Sequence, residues 1–197
     1  MKKTTKVYLF LSQIVFLLLL PTLFQLTSYL HPLVIGVVWF CYTLLVLYVV
    51  CVIQHEKIVV SRRSLHMIAF LYLSGLIVLL FFRPANQEYG SINLVPFETI
   101  LYYLSGEVNF LIAFYNLAAN IGLFIPFGLY FCYIKIKPNL NSLFMVAICS
   151  ICVIEGLQYL TKRGSLDIDD LILNVFGVLV GFFIYPLIQK VFVLKND

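Results

Sequence analysis

The sequence predicts an all-α fold: a polytopic integral membrane helix bundle of about six transmembrane helices, with both termini cytoplasmic. Three observations carry this. Mean hydropathy is +1.02 and 62% of the 197 residues are hydrophobic, against 11% charged. A soluble domain of this length could not hide so much apolar surface, whereas a bilayer solvates it. Six stretches approach the roughly 20 apolar residues that cross a ~30 Å hydrocarbon core. Finally, Lys and Arg fall almost wholly on one alternate set of connectors.

The first stretch, Val7–Thr27, follows Lys2, Lys3 and Lys6. Its apolar run is longer than a signal-peptide core and no small-x-small cleavage site follows, so an uncleaved helix is expected. Leu33–Ile53 forms the second helix, and QHEKIVVSRRS a short cytoplasmic connector to the third, Leu65–Phe82. The loop Arg83–Asn109 contains NLVPFETILYYL, apolar enough to lie in the membrane interface. Pro96 suits a helix start and Glu98 complements its positive end, which predicts a short helix over Pro96–Leu104. In the fourth segment, Phe110–Tyr133, Pro126 lacks an N–H and frees the carbonyl of Gly122, so a kink or break is expected. Leu143–Leu160 and Asp170–Ile188 complete the set. The expected organisation is an N-terminal helix pair with its connector (1–64), a four-helix membrane domain (65–190) and a short cytoplasmic tail (191–197).

With a cytoplasmic N-terminus, the inner side holds ten of the thirteen basic residues, and only Arg83, Lys162 and Arg163 fall outside. That is the distribution the positive-inside rule requires. Acidic residues show the reverse: Glu88, Glu98, Glu107, Asp167, Asp169 and Asp170 lie outside, and Glu155 lies in the outer part of the fifth helix. The basic inner face suits anionic lipid, and nothing suggests nucleic-acid binding. Cys41, Cys51, Cys132, Cys149 and Cys152 read as small hydrophobes, because a membrane helix gives Cys149 and Cys152 no polar second shell for zinc.

The polar residues gather at the outer side. Asn116 and Asn120 are one turn apart on the fourth helix, with Asn109 at its mouth. Glu155 has Gln158 and Tyr159 as helical neighbours, and a carboxylate there should face the bundle or a watery cavity. Asp167 is a candidate N-cap for the sixth helix, and Asp170 a first-turn acid. Capping accounts for neither Asp169 nor Asn174. Below them, Gly177 and Gly181 form a GxxxG surface that allows close helix approach. The structural alternatives are that the asparagines are interhelical glue and that Glu155 pairs with Arg83 or Arg163 as a lock.

These residues carry a family resemblance. Arg83 with NLVPF at Asn93–Phe97, NLAANIGLFIPFG at Asn116–Gly128, EGLQ at Glu155–Gln158 and RGSLDIDDLILNVFG at Arg163–Gly177 together resemble the VanZ-like family of bacterial membrane proteins. The resemblance covers about Leu65 to Ile188 and implies an association with resistance to teicoplanin, a lipidated glycopeptide acting outside the cell.

The leading functional expectation is an outward-facing site in a bacterial plasma membrane that binds or processes a lipid-linked or lipidated envelope molecule. The partner would be a membrane lipid, an envelope precursor or the lipoglycopeptide itself. Arg83 and Arg163 are candidates to hold phosphate or carboxylate. Asn93, Asn116, Asn120, Gln158, Asp169 and Asn174 are candidates for the remaining polar contacts. An enzymatic version makes Glu155 with Asp167 or Asp170 an acid–base pair, or has the same oxygens hold a divalent cation such as Mg²⁺. No nucleophile signature, HExxH or Gly-rich phosphate loop accompanies them. The alternatives are an ion- or solute-coupled transporter and a non-catalytic membrane partner protein.

Overall fold

The computed structural model describes residues 2–26, 33–81 and 92–195. Arg83, Glu88, and the expected helix ends Thr27 and Phe82 lie outside the described residues. The described helices are α1 (Lys3–Leu26), α2 (Leu33–Ile53), α3 (Arg62–Phe81), α4 (Glu98–Leu104), α5 (Phe110–Gly122), α6 (Ile125–Ile134), α7 (Leu140–Leu160) and α8 (Ile168–Ile188). Four short strands accompany them: β1 (Ile58–Val60), β2 (Ile92–Asn93), β3 (Leu166–Asp167) and β4 (Phe192–Leu194). Five spans, α1, α3, α5 with α6, α7 and α8, are long and apolar enough to cross a membrane. Large apolar side chains such as Phe10, Leu18, Phe70 and Phe183 stand exposed along them, as expected where lipid is the solvent. The chain is an all-α membrane bundle.

Two compact units divide it: residues Met1–Val60 with Pro186–Asp197, and Ser61–Tyr185. In the first, α1 and α2 pack together and share a polar seam, in which Trp39 Nε1 donates to Gln13 Oε1 at 2.6 Å and Tyr42 donates to the Ser12 carbonyl at 3.2 Å. The connector expected to be plain loop instead supplies β1, which pairs in parallel with β4, Ile58 opposite Phe192 and Val60 opposite Leu194. The β-branched run Ile58–Val60 suits a strand, but its partner is far away in sequence. Lys2 lies at the same end, its backbone N–H donating to Glu56 Oε1 at 2.6 Å and its Nζ to the Gln54 carbonyl at 2.9 Å. Lys2, Lys57 and Lys195 therefore share one end of this unit.

The second unit holds the larger core: Leu76 and Leu80 from α3, Phe124, Phe131 from α6, Leu143, Ala147 and Ile151 from α7, and Val175 and Val178 from α8. The break expected at Pro126 is present. α5 stops at Gly122, and α6 begins with Pro126 in its first turn, where the missing N–H costs nothing. At the break the carbonyl of Leu123 accepts from the Tyr72 hydroxyl at 2.8 Å. There α8 approaches closely enough that a Cβ on Gly177 would strike the Ile121 carbonyl, one on Gly181 the Ile125 carbonyl, and one on Gly128 the Val178 carbonyl. Only glycine permits this backbone-on-backbone contact, and it packs the end of α5 and the start of α6 against the middle of α8.

α4 begins two residues later than expected. Pro96 lies in the preceding turn, and Phe97 occupies the cap with a left-handed backbone (φ 68°). The partner of the Phe97 N–H, described next, explains the shift.

Candidate functional site

α7 shows how the polar end of the second unit is built. Its buried residues are Leu143, Ala147, Ile151, Glu155 and Gln158, one stripe at spacings of four, four, four and three. The stripe is apolar for most of its length and turns polar in its last turn without leaving the interior. Glu155 is 7% exposed and Gln158 3%. α7 then stops through Lys162 in the left-handed region (φ 53°), with the Arg163 N–H donating back to the Gln158 carbonyl at 2.9 Å. Gly164 is tucked against Gln158: a Cβ there would lie 3.1 Å from the Gln158 Cβ.

From this turn the chain forms β3, which pairs in parallel with β2, Asn93 opposite Asp167. Asp167 caps α8, accepting from the Asp169 N–H at 2.9 Å through Oδ1. Its Oδ2 accepts from the Thr99 hydroxyl at 2.7 Å. Asn93 donates to Thr99 Oγ1 at 3.1 Å and closes its own turn by accepting from the Val95 N–H at 3.0 Å. Asp169 is fully buried, and its carboxylate accepts from the Phe97 N–H at 2.6 Å and the Ile100 N–H at 3.0 Å. One side chain thus holds both ends of the first turn of α4, which the strained Phe97 backbone alone would not keep.

α8 carries the next layer. Asn120 of α5 donates to Asp170 Oδ1 at 2.5 Å. One turn below, Asn174 is buried and donates to Glu155 Oε1 at 3.4 Å. Two amide–carboxylate pairs are thereby stacked along one helical face. Gln158 donates to the Leu80 carbonyl at 3.1 Å, joining α7 to the end of α3. Tyr103 of α4 flanks the upper pair. Burial, and then the nearby charges of Asp170, Tyr102 and Asp167, push its phenol above the usual range.

Glu155, Asp167, Asp169, Asp170, Asn93, Asn120, Gln158 and Asn174 are therefore drawn into one end of the second unit. Asn116 is not among them: its side chain donates to the Ile112 carbonyl of its own helix at 2.9 Å. Asn109 caps α5, accepting from the Leu111 N–H at 2.9 Å. Arg163 sits at the same end, exposed, and its guanidinium makes no ion pair among the described residues. Arg83 lies outside the described residues. Thr99 and Tyr103 escaped the sequence reading. Thr99 had a signal, since it is the polar side chain following Glu98 in the apolar stretch PFETIL. Among the described residues no three His, Cys, Asp or Glu side chains form a group able to hold a metal ion.

A family model described as VanZ/LLP1 matches residues 39–189, most of the chain and all of the polar end. The chain belongs to the VanZ/LLP1 family. In this VanZ/LLP1 member the matched stretch runs from α2 to the end of α8, so it takes in both amide–carboxylate pairs, the glycine contact and the Asp169 clamp. No match was found among curated proteins or among solved structures.

Proposed function

We propose that this VanZ/LLP1 membrane protein binds a lipid-linked or lipidated cell-envelope molecule at the polar end of its second unit, on the outer side of a bacterial plasma membrane. Through that molecule it would affect susceptibility to teicoplanin-type glycopeptides. The observation that carries the reading is the α7 stripe, which packs the core as Leu143, Ala147 and Ile151 and then continues, still buried, as Glu155 and Gln158. An intramembrane carboxylate costs about 2.5–3.5 kcal/mol on insertion scales, and such residues usually mark a site. The outward orientation is supported by the distribution of Lys and Arg.

The contacts divide the residues by role. Asp167, Asp169, Asn93 and Gln158 are occupied in holding α3, α4 and α8 together and act as positioning residues. Arg163, Asp170, Glu155, Asn120 and Asn174 are the candidates to meet a ligand. If the site processes as well as binds, the acid–base work falls to Glu155 and Asp170, with Asp167 holding the Asp169 N–H and the Thr99 hydroxyl. A divalent cation would draw on these two carboxylates with amide oxygens. The apolar remainder of the α7 stripe favours a site open to one side over a transport path.

Asp170→Ala and Arg163→Ala test the reading in cells where the variant proteins insert normally. Both are expected to reproduce the envelope-lipid profile and teicoplanin susceptibility of a strain lacking the protein. Wild-type profiles in both variants would defeat it.

A further inference from the structure

We propose that the opposite end of the second unit, where α3 begins and α6 runs into α7, is a binding surface for the head group of an anionic phospholipid. The polar end described above plays no part in it. α7 starts at Leu140 beside this surface and finishes at Leu160 near Gln158, so its 21 residues put about 30 Å between the two. Two stretches distant in sequence come together here. His66 Nδ1 and the Tyr130 hydroxyl lie 2.7 Å apart, with their rings edge-on at 5.8 Å between centroids. Arg62 and Arg63 precede His66 by one helical turn, positions that share its side of the helix. Beyond Tyr130, Lys135 ends α6 with its Nζ 5.9 Å from the Phe131 ring centroid, and Lys137 follows.

Residues 61–81 and 108–154 contain no Asp or Glu, so Arg62, Arg63, Lys135 and Lys137 gather without a carboxylate from their own segments. Arg63, Lys135 and Lys137 are all exposed. Charge alone would suit any anion. Ile136 narrows the choice: it stands between the two lysines, just past the end of α6, and is 94% exposed. A soluble polyanion would meet the lysines and leave Ile136 in water. At a bilayer boundary the isoleucine enters hydrocarbon while the flanking ammonium groups reach the head groups. Basic clusters directly beyond a membrane-spanning helix have this affinity for anionic lipid, and both α3 and the α5–α6 pair are long and apolar enough to span. A glycerol phosphodiester brings negative charge alone. A choline head adds a cation that the four basic groups repel. The distribution of Lys and Arg supports the cytoplasmic leaflet for this end.

The test titrates phosphatidylglycerol or phosphatidylcholine of matched acyl chains into the full chain in detergent, with bound lipid resolved by native mass spectrometry. Phosphatidylglycerol should bind more tightly, and added potassium chloride should narrow the difference. A cation at an anionic surface contributes about fivefold (about 1 kcal/mol), so Lys135→Gln with Lys137→Gln should weaken phosphatidylglycerol on the order of 30-fold. Both side chains are exposed, so the fold does not depend on them, and Lys135→Arg with Lys137→Arg should keep the affinity. Ile136→Ser should weaken the lipid several-fold. Lys3→Gln with Lys6→Gln, exposed cations of the first unit, should leave most of the binding in place. Equal affinity for the two lipids, or affinity undiminished by the Lys135 and Lys137 pair, would overturn the proposal. An equal loss from the Lys3 and Lys6 pair would reduce it to net charge without a location and overturn it too. So would pyrophosphate displacing the lipid from the wild-type protein and Ile136→Ser alike, since the surface would then take a soluble anion.

Discussion

Replacing Asp169 should release α4 while leaving the membrane-spanning helices folded. Its carboxylate takes the Phe97 N–H at 2.6 Å and the Ile100 N–H at 3.0 Å from a fully buried position. Hydrogen bonds to a charged group contribute about 1.5–3 kcal/mol each, so Asp169→Ala is expected to remove about 3–6 kcal/mol from the closed state of this turn. The left-handed Phe97 backbone, which costs about 1–2 kcal/mol and is held by that carboxylate, adds to the drive to open. At about 1.4 kcal/mol per tenfold, the open population should rise on the order of 100-fold or more. Hydrogen–deuterium exchange of the full chain in nanodiscs reads this directly. The Phe97 and Ile100 amides should exchange faster by that factor, while the α7 amides around Ala147 and Ile151 keep their protection. Asp169→Asn should fall between, because its amide oxygen still serves one N–H while its NH₂ opposes the other. Wild-type protection at both amides in Asp169→Ala would refute the clamp.

Gly177→Ala and Gly181→Ala should each destabilise the protein by about 1–3 kcal/mol, since their Cβ atoms would strike backbone carbonyls. Gly156→Ala, with nothing within 4 Å, should be neutral or stabilising by about 0.5–1 kcal/mol. Unfolding in a denaturing-detergent titration ranks the three, and a Gly156 cost equal to the others would contradict the packing account. Tyr72→Phe should cost about 1 kcal/mol by the same titration, because it strips a hydrogen bond from the Leu123 carbonyl at the α5–α6 break. For Tyr103, whose phenol is raised by burial and then by Asp170, Tyr102 and Asp167, the neutral form is the one the fold favours. Its contribution to stability is complete below the ordinary phenol range and is lost as pH rises through the raised value. Asp170→Asn should lower that value, measured as the ultraviolet titration difference between each protein and its Tyr103→Phe counterpart. No change would place Asp170 away from the ring.

Much of the fold was legible because a membrane helix announces itself through composition alone. α2 spans the expected Leu33–Ile53, and the Pro126 break occurs where a missing N–H required it. Helix ends were less legible. α3 and α7 each start three residues early, the latter because Asn139 caps it by accepting from the Asn141 N–H at 2.9 Å. The strands were not legible, since each finds its partner in a distant segment. At the site, residue type and position suggested that Glu155, Asp170, Asn120 and Asn174 belong together. What could not be read was which partners are backbone. Asp169 answers to the Phe97 and Ile100 amides and Gln158 to the Leu80 carbonyl, and a peptide group leaves no trace in the identity of its residue. Asn116 shows the opposite hazard, a polar side chain that, among the described residues, bonds to its own helix.

The β1–β4 ladder also constrains how the protein is made. Ile58 leaves the ribosome well before Phe192, yet the two are paired. Until that moment β1 presents an unsatisfied edge, open to pairing with another strand. A chain stalled or clipped before Phe192 would still carry this edge unpaired, and so would expose a strand that the folded protein covers.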